Sequence, residues 1–267
     1  IKVIKNKHNI GTVKNYNVIM QCIKSEQFKV IAGDDIIGPN DIFADLSNDF
    51  RVIDTYPFYA LKDGKVGFQK KYLYDYFYRC HFYKPSKNLP WMRMGDFIHT
   101  PSTFYYKDLY LMSRAGDYNN AFCLFEDDPT FYCFFKNVSD VSVKFHKQPL
   151  ILYRYTTAST STVPNERFLK DWRLLQCNYE KDSSFPVNLF FKLRKKSDFS
   201  KYLNCNRICY NIKILFRKMI VKLFYRREFD CFLIMYSMEL DRFDSYYSLI
   251  KEKACGFREE VIDNAGN

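Results

Sequence analysis

The chain has 267 residues, enough to bury one large core or two smaller ones. With 47% apolar and 19% aromatic residues it is not a disordered polymer, and it holds no uninterrupted apolar run near the ~20 residues that span a bilayer. The net charge of +11 is local: residues 183–227 carry twelve Lys/Arg against the single acid Asp198, and the remaining 29 bases and 29 acids balance, so an anionic partner is expected for that segment.

In chain order, Ile1 to Lys5 alternates like a strand, and Asn6 to Gly11 forms a loop in which Asn9 and Gly11 suit positive φ or close backbone approach. A helix is predicted from Thr12, its cap, with Val13, Tyr16, Asn17, Met20 and Ile23 near helical spacing. Phe28 to Ile31 reads as a buried strand that ends in Ala32-Gly33 and the adjacent carboxylates Asp34 and Asp35, with Gly38-Pro39 closing the turn behind them. Strand, helix and strand in succession favour a parallel sheet. Two hard oxygen ligands at the carboxyl end of such a strand suit Mg²⁺ or Mn²⁺, which takes further ligands from substrate phosphates. A turn whose aspartates cap the next helix is the alternative, and on these residues alone the preferred one.

Arg51-Val52-Ile53 and Val66-Gly67-Phe68 read as short strands around the Asp63-Gly64 turn. Lys71 to Tyr83 is dense in Tyr and Phe, and a core is preferred there over a sugar-stacking platform. Thr100 to Tyr105 reads as a turn entering a strand or short helix. Ala121 to Phe125 is a second apolar run ending in carboxylates, Glu126-Asp127-Asp128 before Pro129. Thr130 to Val138 then reads as a mostly buried helix, and Pro149 to Tyr153 as a buried strand ending at Arg154 and the hydroxyl-rich segment Thr156 to Thr162.

Beyond Pro164, Glu166 to Tyr179 is predicted helical, with Phe168, Trp172 and Leu175 on one side. Asn206 to Arg227 places Ile208, Ile212, Leu215, Phe216, Met219 and Leu223 on one helical stripe, with Arg207, Lys213, Arg217, Lys218 and Lys222 largely opposite. Phe232 to Ile250 offers one more helix. The nine cysteines show no CxxC spacing and the four histidines no clustered metal motif, so reduced thiols in a cytoplasmic protein are expected. No signal peptide follows Ile1.

Three features occur in one order: Asn9-Ile10-Gly11 and Asn17 before Ala32-Gly33-Asp34-Asp35 and Pro39, then Glu126-Asp127, then Tyr153-Arg154 with Ser159 and Ser161. Together they resemble the family-two glycosyltransferases of the GT-A fold, especially bacterial enzymes of polysaccharide and lipopolysaccharide assembly. Thr100-Pro101-Ser102 followed by Arg114 to Tyr118 also resembles the segment those enzymes carry before their acidic pair. The resemblance covers residues 1–162 and implies an α/β, Rossmann-like GT-A core whose opening nucleotide-binding strands have no counterpart here, followed by a basic helical region over 163–267.

What the resemblance implies is an inverting glycosyltransferase that moves a sugar from a nucleotide-diphosphate donor, a UDP-sugar first of all, to a hydroxyl of a glycan or lipid-linked acceptor. Asp34 and Asp35 resemble the region that holds Mn²⁺ or Mg²⁺ on the donor diphosphate. Asp127 matches the general base and Glu126 its supporting neighbour. Asn9, Gly11, Asn17, Gly33, Arg154, Ser159 and Ser161 correspond to the donor side, and Trp91 and Asp96 lie where acceptor contacts occur. Two positions depart from the pattern: Ala32 stands where the first acid of the metal motif is usual, and Thr156 near a usual histidine. The chemistry suits the residue types. Clustered acids repel one another and raise a carboxylate's pKa toward working pH, and one base with no second carboxylate nucleophile implies inversion.

Structural alternatives stand beside these roles. Asp127 ahead of Pro129 also suits a helix N-cap. For residues 206–227, a helix lying in a membrane interface, with Arg207, Lys213, Arg217, Lys218 and Lys222 toward an anionic surface, is preferred over a packed helix with solvated lysines. That reading puts the protein at the inner face of the cell membrane. A non-catalytic basic module for nucleic acid or an anionic surface is the alternative function, as is an inactive glycosyltransferase-like domain. No nucleic-acid motif is present, and no nucleic-acid partner is expected.

Overall fold

Helical spacing of apolar residues is realised as helix in each stretch where it was read. A computed structural model of the chain describes residues 5–31, 35–39, 52–55, 58–60, 65–68, 70–82, 103–139, 141–154, 166–184, 188 and 199–265, with side chains left undescribed at 53–54, 59–60, 71, 199–210 and 255–265. Among them run α1 (Thr12–Cys22), α2 (Lys70–Phe82), α3 (Lys107–Met112), α4 (Ala115–Asn119), α5 (Asp127–Asn137), α6 (Glu166–Lys181), α7 (Phe199–Phe224) and α8 (Arg226–Ala265). None of these is long and apolar enough to cross a membrane. Gly11, with φ 84°, takes the cap position of α1, so Thr12 is the first helical residue and not the cap.

The strands form two mixed sheets. In the first, β1 (Gln27–Phe28) and β3 (Val52–Thr55) flank β6 (Phe104–Tyr106) antiparallel, and β3 pairs parallel with β7 (Val143–His146). In the second, β8 (Ile151–Arg154) lies between β2 (Ile36–Ile37), antiparallel, and β4 (Phe58–Ala60), parallel; β5 (Val66–Gly67) closes a hairpin onto β4. Two expectations are corrected here. Phe28 ends an antiparallel edge strand of two residues, and Val30 and Ile31 lie beyond the sheet. Val66-Gly67 pairs with Phe58–Ala60 and not with residues 52–55, which join the other sheet. Pairing partners depend on long-range packing, which strand pattern alone does not encode.

Two apolar cores result. The first joins α1, the first sheet, α3, α5 and Leu175 and Tyr179 of α6. The second joins Phe58, Val66 and Leu152 of the second sheet to α2, α7 and α8 through Leu73, Phe77, Val221, Phe229, Tyr236 and Phe243. Both cores therefore draw on residues from each side of position 162. The Tyr/Phe-dense stretch is core: Leu73, Tyr76 and Phe77 are buried on α2. Gly38 is explained by close approach more than by a turn, since a Cβ there would overlap the ring of Phe243 on α8.

A buried ion cluster fastens α2 to α7. Asp75 accepts from Arg217 Nη1 at 2.5 Å and lies 3.5 Å from Arg79 Nε, all three side chains at most 7% exposed. Aromatic faces cover the guanidinium groups: Arg79 over Tyr76 and Phe145, Arg217 over Tyr78 at 4.9 Å. This overturns one expectation, because Arg217 was assigned to a membrane-facing cationic side. The carboxylate of Asp75 and the Tyr78 ring draw it inward, and Lys218 lies over the Tyr74 ring, whereas Lys222 stays exposed.

Candidate active site

A cavity of about 860 Å³ lies where residues of the two sheets meet. The loop before α1 brings Asn6, His8, Asn9 and Gly11 to its wall; α1 adds Thr12, Asn15, Tyr16 and Ile19. Val30, Ile31 and Asp35 come from the segment between β1 and β2, Thr103 and Tyr105 from the start of β6, Glu126 and Asp127 from the start of α5, and Tyr153 from β8. Asp35 and the Glu126-Asp127 pair, far apart in sequence, therefore face one space.

Local chemistry sets each wall. The Asn9 side chain accepts from the Gly11 backbone N–H at 2.9 Å in an Asx turn, and Gly11 itself stands at φ 84°, which glycine adopts without strain. The turn leaves the N-terminus of α1 at the cavity with no acid in its first turn. Asp35 Oδ1 accepts from the Arg154 backbone N–H at 3.1 Å, so the end of β8 fixes the aspartate, and Tyr153 lines the cavity beside it.

Glu126 occupies the cap position of α5 but makes no capping bond with its side chain, and Asp127 is the first helical residue. Asp127 Oδ1 accepts from the Asp128 N–H at 2.7 Å. The N-cap alternative for Asp127 therefore does not describe its position. Burial, and then the charge of Asp127, push the Glu126 carboxyl up to about 8. Burial likewise holds the Tyr105 hydroxyl well above the ordinary tyrosine range, with Tyr110, Glu126 and Asp127 adding to it. The pair thus sets a glutamic acid that holds its proton more tightly than an exposed one beside a second carboxyl group, close to the Tyr105 phenol.

The segment that presents the pair is held by a carboxylate that sequence reading did not single out. Asp171 of α6, buried, accepts from three successive backbone N–H groups, Cys123 at 2.8 Å, Leu124 at 2.6 Å and Phe125 at 3.2 Å. Thr130 Oγ1 and, at 3.4 Å, Asn119 Nδ2 donate to the Glu126 carbonyl from the other side. An aspartate on the buried face of a helix was the available signal, but its partners lie some fifty positions earlier in the chain. Asp171→Ala strands three donors and is expected to lower stability by roughly 2–4 kcal/mol. Asp171→Asn, which keeps one acceptor oxygen, should recover part of that loss in thermal melts.

Other assigned residues fall elsewhere. Asn17 turns away from this cavity: its amide donates to Asn120 Oδ1 at 2.9 Å and accepts from the Tyr110 hydroxyl at 2.9 Å, tying α1 to the α3–α4 region and lining a second, smaller pocket. Asn17 therefore does not share the cavity of Asn9 and Gly11, because its helical position lies on the opposite side of α1 from Asn15 and Ile19. Arg154 offers its backbone N–H to Asp35, and its side chain is exposed. Gly33, Asp34, Trp91, Asp96, Ser159 and Ser161 lie outside the described residues, as does the side chain of Arg207. Lys213 and Lys218 are half-buried, Lys218 over the Tyr74 ring at 5.5 Å, and Lys222 is exposed. Among the described residues no group of three His, Cys, Asp or Glu gathers as a metal site. No protein-family model matches the chain, and no curated protein matches it.

Proposed function

We propose that the chain is an inverting glycosyltransferase of the GT-A type, acting on a nucleotide-diphosphate sugar and a glycan or lipid-linked acceptor. The observation that supports this best is the shared cavity, in which the early acid Asp35 and the later pair Glu126-Asp127 line one space together with Asn9 and Gly11. Its volume of about 860 Å³ suits a ligand of nucleotide-sugar size.

In this reading the acceptor hydroxyl gives its proton to Asp127. Its oxygen attacks the anomeric carbon opposite the leaving group, and the bond from that carbon to the diphosphate oxygen breaks with its electron pair on the nucleotide. A single displacement with one base inverts the sugar carbon. Protonated Glu126 limits the negative charge that an incoming diphosphate meets. The α1 N-terminus behind Gly11, free of first-turn acids, offers N–H groups and a positive helix end to phosphate oxygens.

Asp35, a hard oxygen donor at the cavity wall, fits Mn²⁺ or Mg²⁺ that keeps waters and binds substrate phosphates, and Asp34 would share that role. When bound, such an ion neutralises charge developing on the departing diphosphate. The basic-module alternative has less support, because Arg217 and Lys218 turn toward the protein body.

The direct test is a panel of UDP-sugars with Mn²⁺. Saturating UDP with Mn²⁺ is expected to stabilise the chain by about 2–3 kcal/mol at a hundredfold excess over Kd, and UDP release from one sugar should disappear in chelator and in Asp35→Ala. No thermal shift with any nucleoside diphosphate, and no release from any sugar donor, would reject the reading.

A further inference from the structure

Helix α7 carries six Lys/Arg and no Asp or Glu over residues 199–224. Its buried side is Ile214, Arg217 and Val221; Val221 joins the second core and Arg217 the Asp75 cluster. On the opposite side, Ile212, Leu215, Phe216, Met219 and Leu223 recur three and four apart and are 51–70% exposed. A helix packed on a protein body ordinarily turns its apolar stripe inward, and this one turns it out. Lys222 borders the stripe, and Arg226 and Arg227 follow at the start of α8, all three exposed, with Arg226 Nε 4.0 Å from the exposed Asp230.

We infer that this outward face docks on a bilayer surface rich in anionic phospholipid. The apolar stripe enters the boundary between headgroups and acyl chains, and Lys222, Arg226 and Arg227 meet the lipid phosphates. Charge complementarity selects this occupant: residues 183–227 carry twelve bases and one acid, and a second copy of the chain would bring the same positive charge against itself. The arrangement revises which residues make the contact. Apolar side chains lead it, and Arg217 and Lys218 support the helix from behind. The inference stands on α7 and its flank, and holds whether or not the cavity transfers sugar.

Sedimentation of the full chain with vesicles tests it. Vesicles of equal parts phosphatidylcholine and phosphatidylglycerol should bind at least about tenfold more protein than pure phosphatidylcholine at low salt, and lose most of it at high salt. Phe216→Ser with Met219→Ser should weaken that binding at least about tenfold without changing the melting temperature, because both side chains are exposed. Lys222→Glu with Arg227→Glu should erase the preference for the anionic vesicle. Absence of vesicle binding, or serine-variant binding equal to that of the unaltered chain, would overturn the inference. So would a concentration-dependent dimer that the serine variant dissolves, since the face would then join two copies.

Discussion

Asp127→Asn is expected to lower sugar transfer by about 10²- to 10⁴-fold while leaving the melting temperature within a few degrees of the unaltered chain. Asparagine keeps the side-chain oxygen that accepts from the Asp128 N–H, so the start of α5 survives, but it cannot take a proton. Glu126→Gln should behave differently. In the folded chain Glu126 holds its proton up to about pH 8, whereas the unfolded chain releases it near the ordinary 4.5. Between those values the native state binds more protons than the unfolded state, so stability is fullest below the lower value and falls as pH rises through the upper one. Glutamine cannot ionise and removes that decline. Melts at pH 6 and pH 9 check it: the gap between the two should narrow in Glu126→Gln. Retained transfer in Asp127→Asn would remove that residue from the mechanism.

Arg217→Leu is the substitution with the largest expected effect on the fold. It deprives buried Asp75 of its closest cation, leaving Arg79 at 3.5 Å, and breaks the link between α2 and α7. Removing one partner from a buried pair typically costs about 3–5 kcal/mol, which for a chain of this size lowers Tm by roughly 6–15 °C. Asp75→Ala should cost a similar amount, and the double variant less than the two together, the signature of direct coupling. Additive losses, or a loss within about 1 kcal/mol, would show that the cluster contributes little and that the aromatic faces alone hold α7 in place.

Both predictions rest on residues whose chemistry was visible early and whose neighbours were not. The second carboxylate pair, the Asn9–Gly11 loop and helices read from Thr12 and over 130–138, 166–179 and 206–227 follow from patterns a few residues long, because capping, turn geometry and helical spacing are local; the observed helices run 12–22, 127–137, 166–181 and 199–224. Asp171 could not be singled out in the same way. An aspartate in an amphipathic helix looks solvated until the three N–H groups it accepts from are in view. Tyr105 was likewise indistinguishable from other aromatics in a chain with 22 tyrosines and 26 phenylalanines. It belongs to the first core and lines the cavity as well, which only the tertiary structure shows.

What the sequence by itself determined is α1, α5, α6, α7 and α8, though not α2, α3 or α4, together with the mixed α/β character, the concentration of positive charge near α7 and the two acid clusters, all consequences of neighbours within one or two turns. The tertiary structure alone decided strand partners, the meeting of Asp35 with Glu126 and Asp127, and the direction in which α7 faces. The physical reason is common to all three. Periodicity tells which side chains share a face, but which face turns inward depends on what distant residues offer, and here a buried carboxylate with aromatic rings drew a guanidinium in and left an apolar stripe outside.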